Sequence, residues 1–160
     1  MQRFFIPGLI ASIFVVILDQ WSKAAISEYF HTNNSLSVQV TGFFNLVLVH
    51  NPGISFGMLS GNAVNPLYLT IATGLVALFL LNWLRNAGNL MLAIALGLTI
   101  GGAIGNIIDR MRFGAVIDFL DFYLGNYHWP AFNIADSAIC LGVFLLCIDS
   151  IFEKSAQEHV

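Results

Sequence analysis

The chain contains a run of residues long and apolar enough to decide its fold class. Residues 89–109 read NLMLAIALGLTIGGAIGNIID, in which the only charged side chain is the last, Asp109. A helix needs about 20 mostly apolar residues to cross a bilayer. This run therefore predicts a membrane-spanning helix. Its small residues Gly101 and Gly105, one helical turn apart, predict a close contact with a neighbouring helix.

The composition of the whole chain agrees with that interpretation. Of its 160 residues, 58% are hydrophobic and 9% are charged, whereas a soluble domain carries about 25% charged residues. Such a chain cannot cover a water-facing surface, and its length leaves room for one domain. Six Lys and Arg residues against nine Asp and Glu residues exclude a soluble nucleic-acid-binding protein. We therefore expect a single integral membrane domain.

Three further stretches are long enough to span the membrane, residues 4–27, 66–84 and 132–152. The first has an alternative as a cleaved signal peptide, because Arg3 gives it a basic start. Its apolar core runs directly into Asp19, which a signal peptide does not need, so we favour a spanning helix. The predicted fold class is an all-α membrane protein with four transmembrane helices.

The distribution of basic residues sets the expected orientation. Four spans put both ends of the chain on one side of the membrane. The long stretch 24–84 contains no Lys or Arg, and loops poor in basic residues suit the outer face. We therefore expect both termini in the cytoplasm.

The two cysteines, Cys140 and Cys147, lie seven residues apart in the last span. That spacing separates their Cα atoms by roughly 10 Å along a helix, which is too far for a disulfide. We expect both to be small buried hydrophobic residues.

Two segments remain for the outer face. Within residues 35–60, apolar and polar residues alternate at positions 36–41, and a second strand candidate covers residues 44–49, so we expect a small β-element. Residues 111–131 are apolar and aromatic but interrupted by glycines and acids. They are too short to cross twice, and we expect them to lie along the outer membrane surface.

Polar residues inside the spans need a physical reason, since each ionisable side chain there costs about 2.5–3.5 kcal/mol on insertion. Asp19 and Lys23 are four residues apart, with the acid first, which favours a helical ion pair. Asp109 is expected to pair with Arg110 or Arg112. These pairs can simply hold helix ends in place.

Asp118 and Asp136 suggest chemistry. Asn133 and Asp136 share a helix face near the outer end of the fourth span, and the surface segment carrying Asp118 returns to the membrane at the same depth. Two carboxyls in a poorly solvated site tend to share a proton, as in aspartic proteases. On these residues alone, a peptidase and a proton- or cation-relay protein remain comparable, and a scaffold that uses its polar residues to join helices is a third possibility.

Other hydrolase signatures are absent from the sequence. It has no HExxH of zinc proteases, no GxSG of rhomboid-type serine proteases and no GxGD of the presenilin kind. The histidines show no metal-ligand spacing, and no glycine-rich phosphate loop is present. We expect no metal and no cofactor.

Five segments carry a resemblance to a known family. In chain order they are DQWSK at 19–23, NPGISFG at 51–57, GGAIGNIIDR at 101–110, VIDF at 116–119 and FNIAD at 132–136. They resemble the motifs of the bacterial lipoprotein signal peptidases (signal peptidase II), in the same order and over nearly the whole chain.

The resemblance implies an intramembrane aspartyl endopeptidase that cuts the signal peptide from prolipoproteins, just before a diacylglyceryl-modified cysteine. It implies that Asp118 and Asp136 form the catalytic dyad and that Asp121 lies outside it. The residues expected to bind substrate or support the site are Asp19, Lys23, Asn51, Gly53, Asn106, Arg110 and Asn133.

The resemblance also implies a location and partners. It places the protein in the bacterial cytoplasmic (inner) membrane with its active site near the outer face. The expected partners are a diacylglyceryl-modified prolipoprotein and membrane lipid, with no nucleic acid, and we expect a monomer.

Overall fold

Each of the four predicted spans forms a helix in the computed structural model, which describes residues 3–53 and 66–157, with side chains up to residue 152. The helices are α1 (Phe5–Thr32), α2 (Pro66–Leu84), α3 (Leu90–Phe113) and α4 (Ile134–Gln157). All four contain a stretch long and apolar enough to cross a bilayer. The predicted fold class is therefore confirmed.

Two helices extend beyond their predicted outer ends. α1 continues past residue 27 to Thr32, because nothing in residues 28–32 breaks a helix. α3 ends where Gly114 adopts a left-handed conformation with φ +71°, and the Gly114 N–H donates to the Arg110 carbonyl at 3.0 Å. A glycine in this position is a common helix stop.

The helix α3 is the centre of the bundle. Most of its surface is buried, whereas the other three helices leave most of theirs exposed. Small residues allow the neighbours to approach: a Cβ on Gly101 would lie 2.6 Å from the Ser12 carbonyl oxygen of α1, and one on Gly105 would lie 2.6 Å from Asp19 Oδ2. The predicted close contact at these two glycines is confirmed. Gly102 meets the Ala135 carbonyl at the start of α4 in the same way.

An antiparallel sheet covers the end of the bundle where α1 and α3 end and α4 begins. Its order is β1 (Ser37–Thr41), β2 (Phe44–Asn51), β3 (Val116–Leu124) and β4 (Tyr127–His128). The first two strands form the described part of the predicted β-element, and its residues 54–60 lie outside the described residues.

The sheet also takes up much of the segment 111–131, for which the sequence predicted only a position along the membrane surface. β3 pairs with β2, for example Val49 opposite Asp118, and β4 pairs with the end of β3. Residues 116–119 are all buried. Because both faces of this part of β3 are covered, it lacks the alternation that marks a half-exposed strand.

The cysteine prediction was wrong in one respect. Cys140 and Cys147 are free, as expected, but both are exposed on α4. A spanning helix meets apolar surroundings on its lipid side as well as on its protein side. Apolar character alone therefore does not show which way a small residue faces.

Alanine at Gly101 should destabilise the bundle, because the added methyl group meets the backbone of α1 and cannot be accommodated by a side-chain rotation. We expect Gly101→Ala to lose about 1–3 kcal/mol of unfolding free energy. The measurement is unfolding of the purified protein in detergent.

Gly74→Ala is the matched control, because a Cβ on Gly74 of α2 has nothing within 4 Å. It should be neutral or stabilising by up to about 1 kcal/mol, the usual helix preference for alanine over glycine. Equal losses in the two variants would contradict the proposed packing role of Gly101.

Candidate active site

Asp118 and Asp136 line one cavity at the end of the bundle where α4 begins. Asp118 lies on β3 and Asp136 in the first turn of α4. The cavity has a volume of about 290 Å³. Four of the predicted supporting residues also line it, namely Asn51, Gly53, Asn106 and Arg110.

Two asparagine amides hold the carboxyl group of Asp118. Asn133 Nδ2 donates to Asp118 Oδ1 at 2.7 Å, and Asn51 Nδ2 donates to Asp118 Oδ2 at 2.9 Å. The orientation of the Asn51 amide is set by Gly53, whose N–H donates to Asn51 Oδ1 at 2.9 Å. Gly53 has φ +100°, and a Cβ there would collide with Leu69, so this turn requires glycine. Asn51 and Gly53 therefore act together on Asp118.

Asp136 is part of the cap of α4. Its backbone N–H donates to Asn133 Oδ1 at 2.9 Å, and the Asn133 N–H is 3.3 Å from Asp136 Oδ2. This reciprocal arrangement is a capping box. Asn106 Nδ2 donates to the other carboxyl oxygen at 2.8 Å. Asn133 thus contacts both candidate catalytic acids, Asp118 through its side chain and Asp136 through its backbone and side chain.

Burial makes the carboxyl group of Asp118 easier to protonate. Its side chain is 2% exposed, and that burial raises its pKa to about 6. The hydrogen bond from Asn51 acts against the rise, and the nearby negative charge of Asp136 adds to it. Near neutral pH, Asp118 therefore changes its protonation state far more readily than an exposed aspartate. Arg110 adds positive charge at the cavity wall, where it acts on both acids.

Asp19 and Lys23 lie behind the cavity. Lys23 Nζ is 2.8 Å from Asp19 Oδ2 and 2.7 Å from Asp109 Oδ2, and it donates to Asn106 Oδ1 at 3.2 Å. The predicted ion pair of Asp19 with Lys23 is confirmed. The predicted pairing of Asp109 with Arg110 or Arg112 was wrong, because Lys23 of α1 takes the Asp109 carboxylate instead. Arg110 is adjacent to Asp109 in α3, and adjacent helical residues point about 100° apart. Asp109 therefore faces α1, while Arg110 faces the cavity.

The same acids hold the backbone next to each candidate catalytic residue. Asp19 Oδ1 accepts from the Ala135 N–H at 2.9 Å, and Asp109 Oδ2 accepts from the Ile117 N–H at 3.1 Å. Ala135 precedes Asp136 and Ile117 precedes Asp118 in the chain. The buried ion cluster therefore positions both carboxyls without contacting either of them.

A family model and several known proteins match this chain. The family model described as signal peptidase (SPase) II matches residues 11–152. The chain belongs to the signal peptidase II family.

Individual relatives cover almost the whole chain. The protein named lipoprotein signal peptidase from Syntrophus aciditrophicus is 45% identical over 99% of this chain and 100% of its own length. The one from Ralstonia nicotianae is 43% identical over 91% of this chain and 84% of its own. A bacterial membrane enzyme structure determined in meso at 2.3 Å resolution has a TM-score of 0.79 at 32% identity, covering 97% of this chain and 93% of its own.

Sequence reasoning did not single out Gln20, which lies beside the candidate site of this signal peptidase II. Gln20 Nε2 donates to Asp109 Oδ1 at 2.9 Å and to the Gly105 carbonyl at 3.2 Å. It therefore ties α1 to α3 beside the ion cluster. Its position inside a span, directly after Asp19, was the signal that could have identified it, because a buried amide needs partners.

Asp121 lies outside the cavity. It is three residues beyond Asp118 on β3, and alternate residues of a strand point to opposite faces. It accepts hydrogen bonds from Asn45 Nδ2 at 2.8 Å and contacts His128 Nδ1 at 2.9 Å. This partnership was also missed by the sequence analysis.

Removing the buried cation should be costly. Lys23→Met leaves Asp19 and Asp109 as buried acids without their ammonium partner, and breaking a buried ion pair in this way costs about 3–5 kcal/mol. Unfolding in detergent measures the loss. Arg85→Met is the control, because Arg85 is exposed beyond the end of α2, and a change there should stay within about 0.5 kcal/mol. Similar losses in both variants would show that Lys23 has no special structural role.

The stability of Asp118→Asn relative to wild type should depend on pH. Between about pH 4 and pH 6 the native carboxyl keeps its proton while the unfolded one loses it, so the wild type becomes less stable as pH rises. The free energy of unfolding of the variant minus that of wild type should therefore increase by about 2–3 kcal/mol from about pH 4 to about pH 7.

Unfolding measured in detergent across this pH range tests the shift of Asp118. The constant cost of altered hydrogen bonds in the variant cancels from the pH dependence. Asn86→Ala, an exposed change without a titrating group, should give a difference from wild type that does not vary with pH. A flat difference for Asp118→Asn would mean that its native carboxyl titrates normally.

Proposed function

We propose that this signal peptidase II is an aspartyl endopeptidase that removes the signal peptide from prolipoproteins, cutting just before the diacylglyceryl-modified cysteine. The names of its relatives, lipoprotein signal peptidase, support the substrate class. The observation that carries the proposed chemistry is the meeting of Asp118 and Asp136 in one cavity, where Asn133 contacts both.

In the proposed reaction the two carboxyls share one proton and hold one water molecule. Asp118, whose pKa burial raises to about 6, holds the proton and polarises the scissile carbonyl. Asp136 takes a proton from the water, and the oxygen of that water bonds to the carbonyl carbon. When the C–N bond breaks, the amine leaves with the proton taken up by Asp136. The products are a new carboxyl end on the signal peptide and a new amino end on the cysteine.

The proposed supporting roles follow from position. Asn51, Asn106 and Asn133 orient the two acids by hydrogen bonds, and Gly53 orients Asn51. Arg110 lines the cavity and offers donors to the peptide carbonyls of the substrate. Asp19 and Lys23 support the site from behind.

The proposed setting is the bacterial cytoplasmic membrane, with both termini in the cytoplasm and the cavity near the outer face. A signal peptide and a diacylglyceryl group both reside in the bilayer, so the substrate can approach sideways between helices. The proposed active form is a monomer.

A proton- or cation-relay function is not favoured. Such a relay would use Asp19, Lys23, Asp109 and Asp136. The Lys23 ammonium group holds two of these acids, Asp19 at 2.8 Å and Asp109 at 2.7 Å. They fix backbone groups next to the cavity, a role for which mobility would be a disadvantage.

Asp118→Asn and Asp136→Asn should each abolish cleavage of a diacylglyceryl-modified prolipoprotein by the purified protein. In each variant the remaining aspartate faces an asparagine, and the two side chains cannot share a proton. The loss should be at least about 10³-fold, because both proton transfers depend on the dyad. The assay contains EDTA, in which we expect the wild type to remain active because the proposed reaction uses two carboxyls and water.

Asp149→Asn is the control for removing a buried acid. Asp149 lies near the other end of α4 and accepts a hydrogen bond from Asn89 at 2.9 Å, away from the cavity. This variant should keep most of the activity. Near-normal cleavage by Asp118→Asn or Asp136→Asn, with unfolding behaviour like that of wild type, would remove that acid from the proposed mechanism.

A further inference from the structure

One wall of the catalytic cavity is formed by a short connection between β4 and α4, residues 129–132, which we call the cavity strap. All four of its residues line the cavity. Its first N–H, from Trp129, donates to the Phe122 carbonyl at 2.8 Å, and its last, from Phe132, donates to the Leu120 carbonyl at 3.1 Å. The strap ends just before Asn133, and its path sets the shape of this wall of the cavity.

Backbone pairing alone gives the start of the strap little support. The strand β4 has two residues, with Tyr127 opposite Leu124 and His128 opposite Tyr123. The second residue of the strap is Pro130, which has no N–H to donate. Short strand pairs of this kind are marginally stable in water, so side chains have to provide the remaining restraint.

Asp121 and His128 provide that restraint. His128 Nδ1 lies 2.9 Å from Asp121 Oδ1 and 3.0 Å from Oδ2. Asp121 is itself fixed, because it is 7% exposed and Asn45 Nδ2 on β2 donates to it at 2.8 Å. The His128 ring also stacks on Tyr123, with centroids 5.0 Å apart. The residue that immediately precedes the strap is therefore bound to a buried acid in the middle of the sheet.

We propose that Asp121 and His128 form a positioning clamp that sets the strap against the peptide substrate. The clamp acts on substrate binding rather than on the chemical step, because the hydrogen bonds that orient Asp118 and Asp136 come from Asn51, Asn106 and Asn133. This inference rests on the proposed peptidase function, and its test separates the two.

Two substitutions at His128 separate the hydrogen bond from the ring contact. His128→Phe keeps an aromatic ring to stack on Tyr123 but cannot donate to Asp121. His128→Asn loses the ring but keeps an N–H donor the same number of bonds from the backbone. With a diacylated prolipoprotein substrate, we expect His128→Phe to raise KM about 10-fold with kcat within about 2-fold. His128→Asn should restore KM to within about 3-fold of wild type.

Tyr127→Phe is the control, because it removes a polar group from the same strand at an exposed position. It should leave both constants unchanged.

An unchanged KM in His128→Phe would overturn the clamp, as would a fall in kcat alone or an equal defect in His128→Asn. If His128→Phe does not fold, Asp121→Ala replaces it, since alanine offers His128 Nδ1 no partner. An unchanged KM in that variant would also overturn the clamp.

Hydrogen exchange at the Trp129 amide gives a readout that does not need activity. The clamp predicts exchange at least about 10-fold faster in His128→Phe than in wild type, because opening of the strap becomes easier. If the wild-type protein fails to cleave the lipidated substrate, the proposed function is wrong. The exchange measurement still tests whether the clamp holds the strap. Equal exchange rates would overturn the clamp even in an active enzyme.

Discussion

The ion cluster around Lys23 is the interaction on which the rest of the structure depends. A single ammonium group lies within 2.8 Å of two buried carboxylates, one from α1 and one from α3. Without it, Asp19 and Asp109 would repel each other where water cannot screen them. With it, both acids are free to accept the backbone N–H groups that precede Asp136 and Asp118. One cation thus fixes two helices, a strand and the start of α4 relative to one another.

The buried acids of the candidate site have two kinds of partner. The supporting acids, Asp19 and Asp109, are paired with the ammonium group of Lys23. The two acids in the cavity receive hydrogen bonds from amides instead. Amide donors orient a carboxyl without adding a full positive charge, so burial can still raise the pKa of Asp118 to about 6. An ammonium group in the place of Asn51 would hold the same oxygen but keep the acid ionised.

The sequence predicted those features that depend on length and composition, and missed those that depend on partners distant in the chain. Four spans follow from apolar runs of sufficient length, and the depth of Asp136 follows from its place at the start of the last run. The partner of Asp109 did not follow, because Lys23 is remote in sequence and Arg110 adjacent. The strand at residues 116–124 was not predicted, because its first residues are buried on both faces and show no alternation. The outward direction of Cys140 was not predicted, because lipid is itself apolar.

The sheet holds Asp118 and the cavity strap in different ways. Asp118 lies on the half of β3 that is buried and tied to α3 through Ile117. The strap begins at the far end of the same strand, where β4 adds only two residues and the turn at Gly125 needs φ +60°. The carboxyls are therefore held by the rigid bundle, and the wall that faces them is held by a short hairpin. Such a division lets the wall shift without breaking the hydrogen bonds that hold Asp118 and Asp136.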